Sequence, residues 1–246
     1  MDVIKSIIVW LLGISYMVIL FPVTFIIWLS VLPFDSDRRI MHGLLVYQGL
    51  ILSHLMPIWK IKIEGRNKAL KGTTYIIISN HQSILDILLL NCLRYRFKWI
   101  SKIENNKVPV LGWYLRMAGY ITVDRGNKES KEEMLEKSYQ ALKKGNSIMI
   151  FPEGTRSPDR QIGFFKRGAF QLALQTNTPI LTIIIDGTGG ILPKHGLIFS
   201  TGHKIRIRIL DPVLPDYFGT DNPDDLALNF LSFMTLALKE LRDEKI

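Results

Sequence analysis

The feature that most limits how this chain can fold is a long uncharged stretch near its start. Residues 6–34 contain no Asp, Glu, Lys or Arg, whereas Lys5 precedes them and charged residues resume at Asp35. With a helical rise of about 1.5 Å per residue, such a stretch can span roughly 30 Å of hydrocarbon. Its aromatic residues, among them Trp10 and Trp28, leave little polar face to meet water. A membrane-associated helix is therefore favoured over an ordinary core helix.

A second apolar segment, residues 40–59, follows at once, and a turn at residues 33–35 predicts that the two segments form a helical hairpin. The second segment contains Gln48 and His54, which suit a lipid-facing span poorly. We therefore expect shallow insertion into one leaflet rather than two crossings. A signal peptide fits less well, because the apolar run is too long and no small-residue cleavage site follows it. Two ordinary core helices are the remaining alternative.

Beyond the hairpin, short β-branched runs alternate with helical patterns, which predicts an α/β domain with a mostly parallel or mixed sheet flanked by helices. The predicted strands cover residues 59–64, 75–79, 97–100, 120–123, 147–151, 179–185 and 204–209. The predicted helices cover residues 109–117, 131–144 with Ser130 as the cap, 168–176 and 223–242. The strand at residues 204–209 alternates basic and apolar residues, which is typical of an exposed face or edge strand. The chain accordingly divides into a membrane-associated two-helix motif, residues 1–58, and an α/β domain, residues 59–246.

The overall charge favours an anionic partner. Lys and Arg total 31 against 22 Asp and Glu, giving a net charge of +9. Lipid headgroups, nucleic acid or a phosphorylated substrate would each suit this balance, but no basic stretch is interleaved with aromatic residues, so nucleic acid is not expected. Cys92 is the single cysteine, which excludes an intrachain disulfide and a thiolate metal cluster. No metal-binding, nucleotide-binding or serine-hydrolase motif is present, and no metal site is expected.

One stretch of the α/β domain carries a candidate catalytic pair. Residues 80–86, Asn-His-Gln-Ser-Ile-Leu-Asp, lie where a buried strand leads into a helix, and ligand sites in α/β sheets gather at such strand ends. His81 in the loop can meet Asp86 one turn inside the helix. An imidazole can then take a proton from a hydroxyl while the carboxylate fixes its tautomer. The structural alternative is a capping box formed by Ser83 and Asp86.

Further loops carry charge at similar places. Gly154 allows close backbone approach and the planar guanidinium of Arg156 suits phosphate oxygens, while Glu153 can orient that arginine or bind a hydroxyl. A surface turn with an exposed ion pair is the alternative there. Lys166 and Arg167 precede a helix, whose N-terminus favours an anion.

If the strands are parallel, several of these residues emerge at one edge of the sheet. His81, Lys102, Arg125 and Arg156 each follow or end a predicted strand. A histidine base surrounded by Lys and Arg suits a substrate with both a hydroxyl and a phosphate.

Taken in order, four blocks of sequence resemble the glycerolipid acyltransferases, most closely the bacterial 1-acylglycerol-3-phosphate acyltransferases. The family block N-H-x-x-x-x-D matches Asn80, His81 and Asp86, and P-E-G-T-R is unchanged at residues 152–156. A block that begins with glycine and ends in a basic residue matches residues 119–125, with Thr-Val where Phe-Ile is common, and the apolar block with a proline matches residues 178–181. The blocks cover residues 75–185 in the family's order.

The resemblance implies transfer of a fatty acyl group from a thioester, acyl-CoA or acyl carrier protein, to the free hydroxyl of lysophosphatidic acid, giving phosphatidic acid without a cofactor. It implies that His81 is the general base and that Asp86 orients it. It implies an enzyme held on the bilayer of the cytoplasmic (inner) membrane, with its active site facing the cytoplasm. The acceptor would bind Lys102, Arg125, Glu153, Gly154, Thr155 and Arg156; further candidates are Asn80, Lys166, Arg167 and Pro179.

Three rival functions are open at this point. A relative of the same superfamily would use another acceptor, such as glycerol-3-phosphate or a lyso-aminolipid. A lipid hydrolase would use water as the acceptor, although a nucleophile elbow is missing from the sequence. A non-catalytic membrane or nucleic-acid binding module would use the positive charge alone and has no need of the four blocks.

Overall fold

The computed structural model of the protein describes residues 3–55 and 60–244. Its centre is a seven-stranded sheet in the order β1-β7-β6-β2-β5-β3-β4. Strands β6, β2, β5, β3 and β4 run parallel, whereas β7 is antiparallel to β6 and β1 is parallel to β7. This confirms the predicted α/β class with a mixed sheet. The strands are β1 Lys60–Glu64, β2 Ile76–Ser79, β3 Phe97–Lys102, β4 Ile121–Val123, β5 Ser147–Ile150, β6 Ile180–Asp186 and β7 Lys204–Ile209.

Helices cover both faces of the sheet because the central strands are apolar on both sides. In β2, Ile76 and Ile78 face one helical layer and Ile77 faces the other, and all three are buried. Helices α5, α6 and α8 form the first layer; α3 and α7 lie in the second, and α1 and α2 pack outside it. The helices are α1 Val3–Val31, α2 Arg39–Leu55, α3 Leu85–Asn91, α4 Leu111–Met117, α5 Lys128–Lys143, α6 Gly168–Thr176, α7 Thr188–Ile191 and α8 Pro223–Asp243.

The prediction that β7 is an edge or exposed-face strand is wrong. β7 lies between β1 and β6, so the sheet edges are β1 and β4. The basic residues of β7 are partly neutralised: Arg208 pairs with Glu64 of β1 at 2.7 Å and with Glu244, and Arg206 is buried and donates to the Glu244 carbonyl. A strand that alternates basic and apolar residues can therefore lie inside a sheet when its basic side chains pair with Glu64 of the neighbouring strand and with Glu244.

Two helix starts also differ from prediction. Helix α4 begins at Leu111 rather than at Pro109, because Val110 has a non-helical backbone with φ 63°. Helix α5 begins at Lys128 rather than Lys131, because the side chain of Asn127 accepts the Ser130 N–H and acts as the cap. The hydroxyl of Ser130 instead accepts the Asp124 N–H. Helix α2 is described as far as Leu55. The predicted extension to residue 59, the start of β1 at residue 59 and the domain boundary after residue 58 lie outside the described residues.

The predicted hairpin of α1 and α2 is present, with its turn held by a buried carboxylate. The side chain of Asp35 accepts the N–H groups of Ile40 and Met41 at the start of α2. Farther along α2, the His42 ring contacts the Tyr120 hydroxyl and the Tyr95 carbonyl, both at 2.9 Å. These contacts fix the hairpin to the α/β domain.

One side of α1 packs against the rest of the protein along the length of the helix. Near its start, Trp10 donates to the Leu197 carbonyl at 2.8 Å, and at its middle the Tyr114 hydroxyl donates to the Met17 carbonyl. Among the described helices, α1 alone is long and apolar enough to cross a bilayer, which indicates membrane association. Its other side is apolar and exposed over the whole helix, including Ile4, Leu11, Ile19 and Ile26.

Candidate active site

The carboxyl ends of four neighbouring strands meet above one cavity of about 530 Å³. His81 follows β2, Lys102 ends β3, Arg125 follows β4 and Arg156 follows β5, and all four line the cavity. The expected convergence is present because β2, β5, β3 and β4 are parallel. A histidine and three cations therefore share one space, although they are spread over 75 positions from His81 to Arg156.

His81 and Asp86 form the predicted contact. The Nδ1 atom of His81 lies 2.8 Å from Oδ2 of Asp86, whose side chain has no exposed surface. Asp86 is the second residue of α3, so its carboxylate reaches back over the helix start. Because Nδ1 is held by the carboxylate, Nε2 is left for a substrate in the cavity. No residue in the described part of the chain hydrogen-bonds Nε2, so this nitrogen can take a proton from a hydroxyl.

Half of the capping-box alternative forms beside the catalytic contact, since Asp86 accepts the Ser83 N–H but the Ser83 hydroxyl accepts the Leu85 N–H instead of the Asp86 N–H. Oδ2 of Asp86 also accepts the backbone N–H groups of Gln82 and Ser83, at 2.7 and 2.8 Å. One carboxylate oxygen thus binds the backbone of the loop before α3 and also holds the imidazole, whereas the N-cap of α3 is Ile84 and has no side-chain cap. The other oxygen, Oδ1, is buried and has no hydrogen-bond partner within residues 3–55 and 60–244.

The backbone of His81 is held from both sides by the loop after β5. Its N–H donates to Oε1 of Glu153 at 2.8 Å, and its carbonyl accepts the Ser157 N–H at 2.7 Å. Oε2 of Glu153 accepts the Gly163 N–H. Burial raises the pKa of Glu153 to about 7, against the opposing effect of these two N–H donors. Glu153 does not line the cavity. It supports the His81 loop, and its expected contact with Arg156 is absent within the described residues.

Phe151 is a site residue that the sequence did not reveal. Its ring stacks on the His81 imidazole with the centroids 3.9 Å apart and the planes 8° from parallel. The stacking and the Asp86 bond together leave the imidazole one orientation. Phe151 directly precedes the Pro-Glu-Gly-Thr-Arg segment and ends a predicted strand, so the sequence pattern indicates only a core residue.

Two of the cations that line the cavity, Lys102 and Arg125, interact with the carboxylate of Glu104. Lys102 pairs with Glu104 at 2.7 Å, and burial lowers the pKa of Arg125 while Glu104 opposes the shift.

Gly154 and Thr155 also line the cavity. Gly154 has φ +69°, and a Cβ there would lie 3.0 Å from Cε of Lys166. The left-handed backbone therefore favours glycine here, whereas the flexible Lys166 side chain could move aside.

Four further predicted candidates do not line the cavity: Asn80, Lys166, Arg167 and Pro179. The amide of Asn80 bonds both the N–H and the carbonyl of Ile185 at 2.8 Å, so it joins β2 to β6. Arg167 lies 3.8 Å from Asp224 at the start of α8. Pro179 precedes β6 at the opposite edge of the sheet, where its carbonyl accepts the Ile76 N–H. Lys166 is exposed and approaches Gly154 without lining the cavity.

The remaining walls of the cavity are mostly apolar and come from the hairpin and its neighbours. Lys194, on the loop after α7, adds a cation that the sequence reading missed, although it too follows a parallel strand. The apolar wall lies beside the catalytic pair and includes residues of both hairpin helices. It is formed by Met17, Leu45, Leu52, Ile84, Ile87, Leu111, Tyr114 and Leu115.

Fold and site together define a class: an α/β domain with a histidine–carboxylate pair at the carboxyl ends of parallel strands, beside cations and an apolar wall. Residues 60–186 match the family model named Acyltransferase. The chain belongs to the acyltransferase family.

Relatives from a plant, a yeast and human match much of the chain. It is 38% identical to the chloroplastic 1-acyl-sn-glycerol-3-phosphate acyltransferase of Arabidopsis thaliana over 74% of this chain and 51% of that protein. For the Saccharomyces cerevisiae enzyme of that name the identity is 33%, over 74% and 60% of the two chains. For the human alpha form it is 30%, over 78% and 69%. The chain thus spans about half the length of the plant relative.

A solved structure shares the whole fold. The crystal structure of the 1-acyl-sn-glycerophosphate (LPA) acyltransferase of Thermotoga maritima matches with a TM-score of 0.82 at 24% identity. The match covers 100% of this chain and 98% of that one, including the hairpin.

Proposed function

We propose that this protein transfers a fatty acyl group from a thioester to the free hydroxyl of 1-acylglycerol-3-phosphate, giving phosphatidic acid for phospholipid synthesis. The observation that carries the proposal is the shared cavity, in which a carboxylate-held imidazole faces Lys102, Arg125 and Arg156. The printed names of the relatives, 1-acyl-sn-glycerol-3-phosphate acyltransferases, support the same acceptor.

The proposed reaction proceeds in one transfer. Nε2 of His81 takes the proton of the acceptor hydroxyl while Asp86 stabilises the imidazolium that forms. The hydroxyl oxygen attacks the thioester carbonyl, the C–S bond breaks, and the imidazolium returns the proton to the leaving thiolate. The Phe151 ring and the backbone contacts from Glu153 and Ser157 keep the imidazole in place throughout. The proposed reaction uses no resident cofactor or metal.

The acceptor phosphate is proposed to bind the guanidinium groups of Arg125 and Arg156, with Lys102 and Lys194 adding positive charge. Arginine forks match phosphate oxygens in a bidentate way. Gly154 and Thr155 complete that side of the cavity. The acyl chains lie against the apolar wall. Either acyl-CoA or acyl carrier protein supplies the thioester.

The hairpin is proposed to lie in one leaflet rather than to cross the membrane. A helix that crossed the membrane would extend away from the α/β domain. In contrast, α1 contacts that domain at Trp10 and Met17, and only the outer side of α1 is exposed. Lipid substrates can then enter from the leaflet without exposing their chains to water, which costs about 0.8 kcal/mol per CH₂. We assign the protein to the cytoplasmic membrane with its active site facing the cytoplasm.

The test is a labelled-acyl transfer assay with the purified full chain in phosphatidylcholine vesicles. Acceptors are lysophosphatidic acid, glycerol-3-phosphate, a lyso-aminolipid and water alone, each with acyl-CoA and with acyl carrier protein. The proposal expects labelled phosphatidic acid as the main product. Preferred labelling of another acceptor, or acyl release with no acceptor, would overturn it.

A further inference from the structure

A second cavity of about 710 Å³ lies at the opposite edge of the sheet from the active site. It is bounded by the amino ends of β2, β5 and β6 and by the loop before β3. The strands between the two edges have 4 to 7 residues, which at about 3.3 Å per residue separates the cavities by roughly 13 to 23 Å. The two cavities have no lining residue in common.

This second cavity is lined by cations without matching carboxylates. Its lining includes Arg39, Arg66, Lys71, Arg94 and Arg96, and no Asp or Glu. Arg39 is already engaged, with Asp37 at 3.3 Å and the Lys144 carbonyl. Within residues 3–55 and 60–244, Arg66, Lys71, Arg94 and Arg96 have no ion pair. All four are exposed residues on the wall of one cavity, and their combined positive charge favours an anion there.

The walls of the second cavity combine this charge with apolar surface and an unsatisfied donor. Tyr75, Ile77 and Leu93 are buried in the wall, and Leu70 is an exposed apolar residue beside Lys71 at the rim. Asn146 lies in the wall, and its Nδ2 is buried without a hydrogen-bond partner among the described residues. A buried donor that lacks a partner is costly, and an anionic oxygen is a group that would satisfy it.

We propose that this cavity binds an organic phosphate, a phosphate or diphosphate group attached to a less polar body. The volume exceeds what inorganic phosphate needs and lies in the range of small-molecule sites. Arg66 and Arg96 hold the phosphate oxygens, and the apolar wall takes the remainder. Two sources share this chemistry, a soluble phosphate ester and a phospholipid headgroup. The second is within reach because α2 of the hairpin borders the cavity: the Arg94 guanidinium lies 5.7 Å over the Tyr47 ring of α2.

The experiment must separate this cavity from the active site, which also carries cations. The full chain with Arg125→Ala and Arg156→Ala removes two active-site guanidinium groups and serves as the background. Inorganic pyrophosphate is titrated by calorimetry into this background, into the background with Arg66→Gln and Arg96→Gln, and into the background with Lys128→Gln and Lys239→Gln. The last pair removes the same charge from exposed helix surfaces.

Saturable binding is expected in the background and in the lysine control, and at least about tenfold weaker binding in the Arg66/Arg96 variant, since each lost charge-assisted bond costs around that factor. Equal affinity in the two quadruple variants, or no saturable binding in the background, overturns the proposal. The thermal unfolding midpoint of every variant establishes that it is folded. Asn146→Asp gives an independent check, because a negative charge in the wall must weaken pyrophosphate binding.

A vesicle arm distinguishes the two sources. Flotation with phosphatidylcholine vesicles is compared with and without added phosphatidic acid, for the wild-type chain and for the Arg66→Gln/Arg96→Gln variant. A smaller gain from phosphatidic acid in that variant than in the Lys128→Gln/Lys239→Gln control assigns the cavity to a lipid headgroup. An equal gain, together with lost pyrophosphate binding, assigns it to soluble phosphate esters.

Discussion

Replacing Asp86 by Asn tests how the carboxylate supports the imidazole. In the wild-type chain Oδ2 of Asp86 accepts three N–H groups, from the His81 ring, Gln82 and Ser83, and Oδ1 accepts none from the described residues. An amide whose oxygen takes the Oδ2 position keeps all three bonds and the same tautomer. The change therefore removes the negative charge while leaving the loop in place.

The expected loss of kcat/KM follows from the charge on the hydrogen bond between His81 and Asp86. A hydrogen bond to a charged group contributes about 1.5 to 3 kcal/mol, which at about 1.36 kcal/mol per tenfold corresponds to roughly 10- to 150-fold in kcat/KM. Removing the base itself, with His81→Ala, is expected to cost about 10² to 10⁴. Asp86→Asn should thus keep a measurable residual rate.

The assay is the initial rate of labelled phosphatidic acid formation, combined with thermal unfolding of each variant. Asp86→Ala is the contrasting variant: it leaves three donors without an acceptor, at about 1 to 3 kcal/mol for each that stays buried, so it should lower stability as well as rate. An unchanged rate in Asp86→Asn, or a loss explained entirely by unfolding, would refute the role given to the carboxylate.

Three further predictions concern other parts of the chain. Arg156→Ala should raise KM for lysophosphatidic acid about tenfold while changing kcat less, whereas Arg167→Ala, whose side chain faces Asp224, should change neither in steady-state assays. Because burial raises the pKa of Glu153 from 4.5 to about 7, the folded state binds this proton more readily than the unfolded state. As the pH rises from 4.5 to about 7, the contribution of Glu153 to the free energy of unfolding therefore falls by about 3 kcal/mol. Chemical denaturation of Glu153→Gln should accordingly show a shallower pH dependence than that of the wild-type chain. Ile19→Glu, on the exposed side of α1, should weaken vesicle flotation about tenfold or more, with the exposed Leu236→Glu of α8 as the matched control; an equal loss in both would remove the case for a lipid-facing α1.

The parts of the fold that the sequence predicted well are those with a local cause. The sequence predicts a helix over residues 168–176, and α6 has the same bounds. The apolar residues that follow Gly168 recur at helical spacing, which is a local signal. The parallel strands were predicted from short β-branched runs, and their carboxyl ends brought His81, Lys102, Arg125 and Arg156 together as expected.

The parts that were missed depend on contacts between distant segments. Nothing local to β7 reveals that β1, far away in the chain, pairs with it and turns an edge strand into an inner one. The role of Phe151 depends on the position of an imidazole 70 residues earlier, at His81. Likewise, Glu153 reads as an exposed polar residue until the His81 loop covers it.

The central claim is that one imidazole serves as the base for an acceptor held by the cations around it. The most direct measurement is the rate at which His81→Ala, folded and bound to vesicles, forms labelled phosphatidic acid from lysophosphatidic acid and an acyl thioester. We expect a loss of at least about 10² in kcat/KM with unchanged vesicle binding. Turnover near the wild-type rate in that variant would contradict the proposed mechanism.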